Sequence, residues 1–367
     1  MVVGDSNHND SAWSTTVTLD VYKSDDARMT VTLPDSLTYN TSNQTIASAS
    51  GIEGVGTYYL GYRKGSEATA DSQVIWGSAN TTPLQVKDAG TYYVYYKFSP
   101  DANHENSKAY TKVGTITIEK KPRSGAVSCN NTTYPTAVTA TVSGNTENGT
   151  ITWGITNGTG KATIDSTGKV TPTQAGTVTI TASVAATSNY AAYTATSKTI
   201  TIGKANGSIT YSTVTSVSEY CTSTAAAMSQ TDTNKSVTVA TSSASSSTNT
   251  GGTISYSIDK SGWSISDDGK TVTVPSGTVA GTYSVKITAS VTTTTNYNAA
   301  SKQNTVSIVI TATELTNLRM ALTANSVAYG SSTTVASVIA EYNNGKTKSV
   351  LDNATYSSNP TGIVTIS

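Results

Sequence analysis

One phrase recurs three times in this chain and restricts what it can fold into. Ala89-Gly90-Thr91-Tyr92-Tyr93-Val94-Tyr95-Tyr96 returns as Ala175-Gly176-Thr177-Val178-Thr179-Ile180-Thr181-Ala182, and again as Ala280-Gly281-Thr282-Tyr283-Ser284-Val285-Lys286-Ile287. Each copy is followed by an Asn-centred turn: Asn103-His104-Glu105-Asn106, Asn189-Tyr190-Ala191-Ala192 and Asn296-Tyr297-Asn298-Ala299. Each then reaches a strand carrying two alternate isoleucines, Ile116 and Ile118, Ile200 and Ile202, Ile308 and Ile310. From Gly90 to Ile116, Gly176 to Ile200 and Gly281 to Ile308 the spacing is 26, 24 and 27 residues. A phrase and a sequel at near-constant distance mark a repeated structural unit.

The interval sets the size of that unit. Gly90 to Gly176 is 86 residues and Gly176 to Gly281 is 105. Solenoid and propeller units run to roughly 20–50 residues, whereas a seven-stranded immunoglobulin-like sandwich takes about 100. Each unit is therefore expected to be a complete small sandwich. Period-two alternation supports strands throughout: Thr16 to Val21, Met29 to Leu33, and Thr177 to Val184 with Val178, Ile180 and Ala182 inward. One helix-like stretch, 222–230, holds Ala225-Ala226-Ala227. Residues 241–252, rich in Ser, Thr and Gly, read as a loop inside the third unit.

Boundaries follow the closing strands. The expected division is an N-terminal strand or arm (1–25), a Tyr-rich sandwich (26–121), a second (122–204), a third (205–312) and a partial sandwich (313–367). The linkers are a few residues long, which limits bending and predicts an elongated, semi-rigid rod. The last segment lacks both the phrase and a closing strand. It reads as half a sandwich, completed by a continuation of the natural chain or by a partner strand, the first being the plainer reading.

Composition narrows the function. Charged residues make up 13% of the 367, against an ordinary share of about 25%. Ser and Thr take their place, and β-branched Thr suits exposed strand faces. The formal net charge is zero, so no basic stripe is available for phosphates and nucleic-acid binding is not expected. No run approaches ~18 apolar residues, so no membrane span is expected. No signal peptide is visible after Met1. Cys129 and Cys221 fall in different units and read as free, buried thiols.

No constellation for catalysis stands out. His8 and His104 are the two histidines; His104 occupies the turn position of Tyr190 and Tyr297 and reads as structural. No metal-ligand spacing, nucleophile elbow or phosphate loop occurs. Asp25-Asp26 and Asp267-Asp268-Gly269 read as solvated turn acids rather than calcium ligands. The chain is expected to be no enzyme and to need no cofactor or metal.

One feature breaks the repeat. Tyr92, Val94 and Tyr96 align with inward positions of the other copies, leaving Tyr93 and Tyr95 outward where those copies carry Thr179 and Thr181, or Ser284 and Lys286. An exposed Tyr93/Tyr95 strip, with Tyr59 beside it and Tyr58 and Tyr62 as extensions, would suit stacking on a sugar or contact with a protein. Cross-strand packing alone would also account for it.

Residues 162–171, leading into the phrase at Ala175 to Ala182, resemble the bacterial Ig-like group 2 domain. Leu315 to Ser367, with Tyr329-Gly330-Ser331-Ser332-Thr333-Thr334 and Ser357-Ser358-Asn359-Pro360, is similar to the first half of another. The first and third units, through Tyr39-Asn40 and Ala89-Gly90-Thr91-Tyr92, resemble related tandem modules of bacterial surface proteins. The resemblance implies an all-β chain of tandem immunoglobulin-like sandwiches. Such domains occur in adhesins, surface-layer proteins, tails of secreted enzymes and bacteriophage virion proteins. It therefore implies an extracellular place, on a bacterial cell or a virion. The expected role is a structural rod. The alternatives are a fibre binding a glycan or a surface protein, a homo-oligomeric surface or virion assembly, and spacer domains of a larger secreted enzyme.

Overall fold

The computed structural model describes residues 27–104, 107–220 and 234–357. The N-terminal arm, His8, Asp25-Asp26, Cys221, the helix-like stretch and the last ten residues lie outside the described residues.

The repeated phrase forms the central strand of three sheets: Gly90–Pro100, Gly176–Val184 and Gly281–Val291. Alternation drives one face inward. Val178, Ile180, Ala182 and Val184 are buried in the second copy, Val285, Ile287, Ala289 and Val291 in the third, and Tyr92, Val94 and Phe98 in the first. Each phrase strand pairs antiparallel with its closing strand: Lys108–Glu119, Lys198–Gly203 and Ala300–Thr311. The paired isoleucines of all three closing strands are buried. On its other side the phrase strand pairs with Val55–Lys64, Ile151–Asn157 or Ile254–Ile258.

A shorter sheet covers each buried face. In the first unit it is Arg28–Thr32, Gln44–Glu53 and Leu84–Val86. In the second it is Val138–Thr139, Lys169–Gln174 and Lys161–Ile164, with the pair Val127–Ser128 and Thr141–Val142. In the third it is Lys235–Thr238, Thr271–Val274 and Ser264–Ile265. Between the layers lie three separate cores, centred on Ile46, Leu60 and Val94, on Val170, Val178 and Ile180, and on Val272, Val285 and Ile287. At about 25 cal/mol per Å² of apolar burial, each is the main stabilising term of its unit.

All three units also share an entry strand: Leu37–Thr38, Thr132–Thr133 and Ser216–Tyr220. Each lies parallel to the closing strand of its own unit. In the first two units the segment just before it, Arg28–Thr32 or Val127–Ser128, pairs with the opposite layer. The incoming chain thus crosses from one sheet to the other. The described chain is all-β, and these are tandem immunoglobulin-like sandwiches.

The segment after Thr311 is a three-stranded meander of Leu315–Leu322, Val335–Tyr342 and Thr347–Ser349. Its small core is Val338, Ala340, Tyr342 and Val350. Leu318 and Met320 pair with Ala340 and Val338, so they face the same way, yet stay 46% and 58% exposed.

Candidate functional site

Two features of the sandwiches carry functional content: the joints between them, and the outer face of the first.

The joints use one set of contacts twice. At the first, the Ala89 N–H donates to Asn189 Oδ1 at 2.9 Å. At the second, the Ala175 N–H donates to Asn296 Oδ1 at 2.9 Å. Each Asn belongs to the turn of the following sandwich, and each Ala opens the phrase of the preceding one. Just past the closing isoleucines, Lys120 Nζ donates to the Thr187 carbonyl at 2.5 Å and Lys204 Nζ to the Thr294 carbonyl at 2.6 Å. Linker residues Lys121 and Ala205 exchange backbone hydrogen bonds with the turns around Asn189 and Asn296. Tyr39 meets Tyr190 and Tyr134 meets Tyr297, each edge-to-face at 5.6 Å. Such aromatic pairs contribute about 0.5–1.5 kcal/mol beyond burial. Within the sequence Asn189 and Asn296 read as turn residues only. Their signal was the Asn-Tyr pair recurring together with Ile118-Glu119-Lys120 and Ile202-Gly203-Lys204.

The first joint adds a carboxylate. Glu147 accepts from Thr187 Oγ1 at 2.7 Å and from Asn189 Nδ2 at 3.1 Å, and Asp88 Oδ1 accepts from the same Nδ2 at 3.3 Å. These hydrogen bonds, that from Thr187 first, hold Glu147 below the usual carboxylate range; Arg123 adds a smaller pull the same way. A depressed pKa contributes stability above the unfolded value, lost as pH falls through the folded one. Acidification below the ordinary Glu range is therefore expected to loosen the first joint before the second, where Asn296 Nδ2 faces the Thr173 carbonyl. Distance measurements across each joint between pH 7 and pH 3 check this. Glu147→Gln should flatten the first joint's response, and equal responses at both joints would refute the assignment.

The outer face of the first sandwich differs from the exposed strip that the sequence suggested. Tyr95 is only 1% exposed. The loop after Lys64 folds over it, and the Ala68 N–H donates to Tyr95 Oη at 2.6 Å. Ala68, Val74 and Tyr95 form a second small core, with Trp76, Tyr93 and Tyr110 against it. Gly61, opposite Tyr95, leaves the space that Val74 and Trp76 fill. Ion pairs pin the loop at both ends, Lys112 to Glu67 at 2.7 Å and Lys97 to Asp71 at 3.2 Å. The same lysines lie on aromatic rings: Lys112 is 5.2 Å from the Tyr93 centroid, and Lys97 is 4.3 Å from Trp76 and 5.6 Å from Tyr59. Tyr93 and Tyr59 are half-buried, so the three tyrosines do not form one open strip. Tyr58 and Tyr62 are not extensions of it. Tyr58 is in the core, and Tyr62 packs on that core edge-to-face with Tyr92. Burial pushes the Tyr92 hydroxyl up to about 12.

The remaining candidates resolve as structural groups. His104 Nδ1 sits 2.6 Å from Asp101 Oδ1 within its turn. Asp268 accepts from Ser266 Oγ and the Lys270 N–H and so closes a turn. Cys129 is buried and unbridged, and burial pushes its thiol up. Among the described residues no group of three or more His, Cys, Asp or Glu is placed to hold a metal ion, and no helix is long and apolar enough to cross a membrane.

No family model matches the chain, and no curated protein matches it in sequence. Among solved structures it is similar to domains 1–6 of the surface layer protein SbsC, at 15% identity over 88% of this chain and 44% of that one, with a TM-score of 0.23. It is similar to a SusE-like surface located polysaccharide binding protein from Bacteroides thetaiotaomicron, at 10% identity over 81% and 74%, TM-score 0.21. It is also similar to human protocadherin-24 EC1-2, at 15% identity over 48% and 89%, TM-score 0.24. At such identities and TM-scores no function passes from these proteins to this chain.

Proposed function

We propose that this chain is a non-catalytic spacer, a semi-rigid rod of immunoglobulin-like sandwiches that holds a functional part away from a bacterial cell surface. The carrying observation is that two successive joints are built from the same Ala, Asn, Lys and Tyr contacts. A flexible string needs no such repetition; a rod needs each joint to fix the same geometry. The Thr-rich outer faces, where Thr179 Oγ1 lies 2.9 Å from Thr199 Oγ1, keep uncharged strands wet and support an exposed, display-type surface. The likeness of the second sandwich to the bacterial Ig-like group 2 domain belongs to this reading.

Small-angle scattering tests it. A compact globule of this length has a radius of gyration of about 21 Å, and the rod requires a value well above that. Asn189→Ala with Asn296→Ala removes about 1 kcal/mol of hydrogen bonding per joint. The double variant should broaden the distance distribution while each sandwich keeps its stability. A globule-like radius for the wild type would overturn the reading.

A further inference from the structure

The outer face of the first sandwich stays open beyond the covering loop. There, a shallow groove of about 300 Å³ has Thr57, Tyr59, Lys97, Ser99, Ser107 and Lys108 among its lining residues. Cross-strand register puts Tyr59 beside Lys97 and Thr57 beside Ser99 on one face. Lys97, between the Trp76 and Tyr59 rings, holds the Tyr59 ring in place and is itself fixed by both carboxylate oxygens of Asp71 at 3.2 Å.

We propose that this groove binds a neutral pyranose ring of a glycan chain, with Tyr59 as the stacking platform. An aromatic face takes the C–H side of a sugar ring while polar groups around it take the hydroxyls. The hydroxyls of Thr57, Ser99 and Ser107 make no hydrogen bond among the described residues, so they are free to serve. The Lys97–Asp71 pair offers a donor and an acceptor side by side, which suits a hydroxylated neutral ring. Asp71 neutralises Lys97 from behind, Lys108 at the rim adds a further donor, and a cation would meet both lysines. The volume is at the lower end of the roughly 300–1,000 Å³ of ligand pockets, enough for a ring or two and too small for a folded segment. At the matching cross-strand positions the second sandwich pairs Thr152 with Ser183 and the third pairs Ser257 with Thr288, so the Tyr59–Lys97 platform is particular to the first. The proposal is independent of the spacer reading, which stands or falls on scattering.

The test is saturation-transfer NMR of the full chain with cellotetraose, mannotetraose and chitotetraose, beside an anionic hyaluronan tetrasaccharide. At least one neutral tetrasaccharide is expected to bind, with a Kd on the order of 1 mM, and to bind more tightly than the anionic one. Tyr59→Ala should weaken it at least tenfold, and Thr57→Val, nearly isosteric, severalfold. Tyr59→Phe, which keeps the platform, should retain it. The Phe and Val variants carry the test should the Ala variant not fold. Binding of the anionic probe alone, of no probe, or undiminished binding in both Tyr59→Ala and Thr57→Val would overturn the proposal.

Discussion

Gly176→Ala is expected to destabilise the second sandwich by about 3 kcal/mol or more, since left-handed strain alone costs about 1–3 kcal/mol and a backbone clash adds to it. The three glycines of the repeated phrase all lie at positive φ, +146° at Gly90, +133° at Gly176 and +159° at Gly281. They differ in what a Cβ would meet. At Gly176 it would run into the backbone of Thr159 and Gly160, which cannot move without breaking the bend they form. At Gly90 it would meet the far end of the Lys64 side chain, which can swing away. At Gly281 the nearest atom is Tyr283 Cε2 at 3.9 Å. The order of damage should be Gly176, Gly90, Gly281. Urea melts followed by hydrogen exchange, sandwich by sandwich, measure it. Equal losses, or Gly281 as the worst, would mean the glycine is kept for some reason other than close approach.

Tyr95→Ala is the second large effect, a loss of about 3–5 kcal/mol by the scale of aromatic truncations in cores, confined to the first sandwich. It removes the centre of the outer core and leaves the buried Ala68 N–H without its acceptor. Tyr95→Phe keeps the ring and should cost about 1–3 kcal/mol, the penalty of the orphaned N–H. Exchange protection of residues 66–74 should fall in both variants and furthest in the Ala variant. Unchanged protection would show that the loop is held by its ion pairs alone. Tyr95 variants are therefore poor probes of binding on this face, because any loss would report the displaced loop; Tyr59 is the cleaner choice.

The strands were legible because their signal is local. Period-two alternation places Ile180 and Val285 in a core without knowledge of what lies above them, and Tyr92 and Val94 follow the same rule. The outer face was not legible, because alternation says which side Tyr95 points to and nothing about what lies there. The cover is a polar loop with few apolar residues, Ala68 and Val74 among them, held by the Tyr95 hydroxyl and by ion pairs to Lys112 and Lys97 on distant strand positions. Tyr58, Tyr59 and Tyr62 show the same limit: the alternation of Val55–Lys64 decides that only Tyr59 faces out, while the composition of the segment suggests an undivided patch. The joints needed two sandwiches in view. Asn189 is a turn residue within its own unit, and its Oδ1 finds its donor in the Ala89 N–H, 100 positions away.

The parallel pairing of entry and closing strands has a mechanical meaning. In each of the three sandwiches a strand near the start of the unit lies beside the closing strand and runs the same way, as Ser216–Tyr220 does beside Ser307–Thr311. A pull along the chain drags those strands in opposite directions along their length. Their hydrogen bonds are then loaded side by side and must fail together, instead of opening one at a time from an end. Tension borne by such a tether would meet a row of shear clamps, the longest of them in the third sandwich.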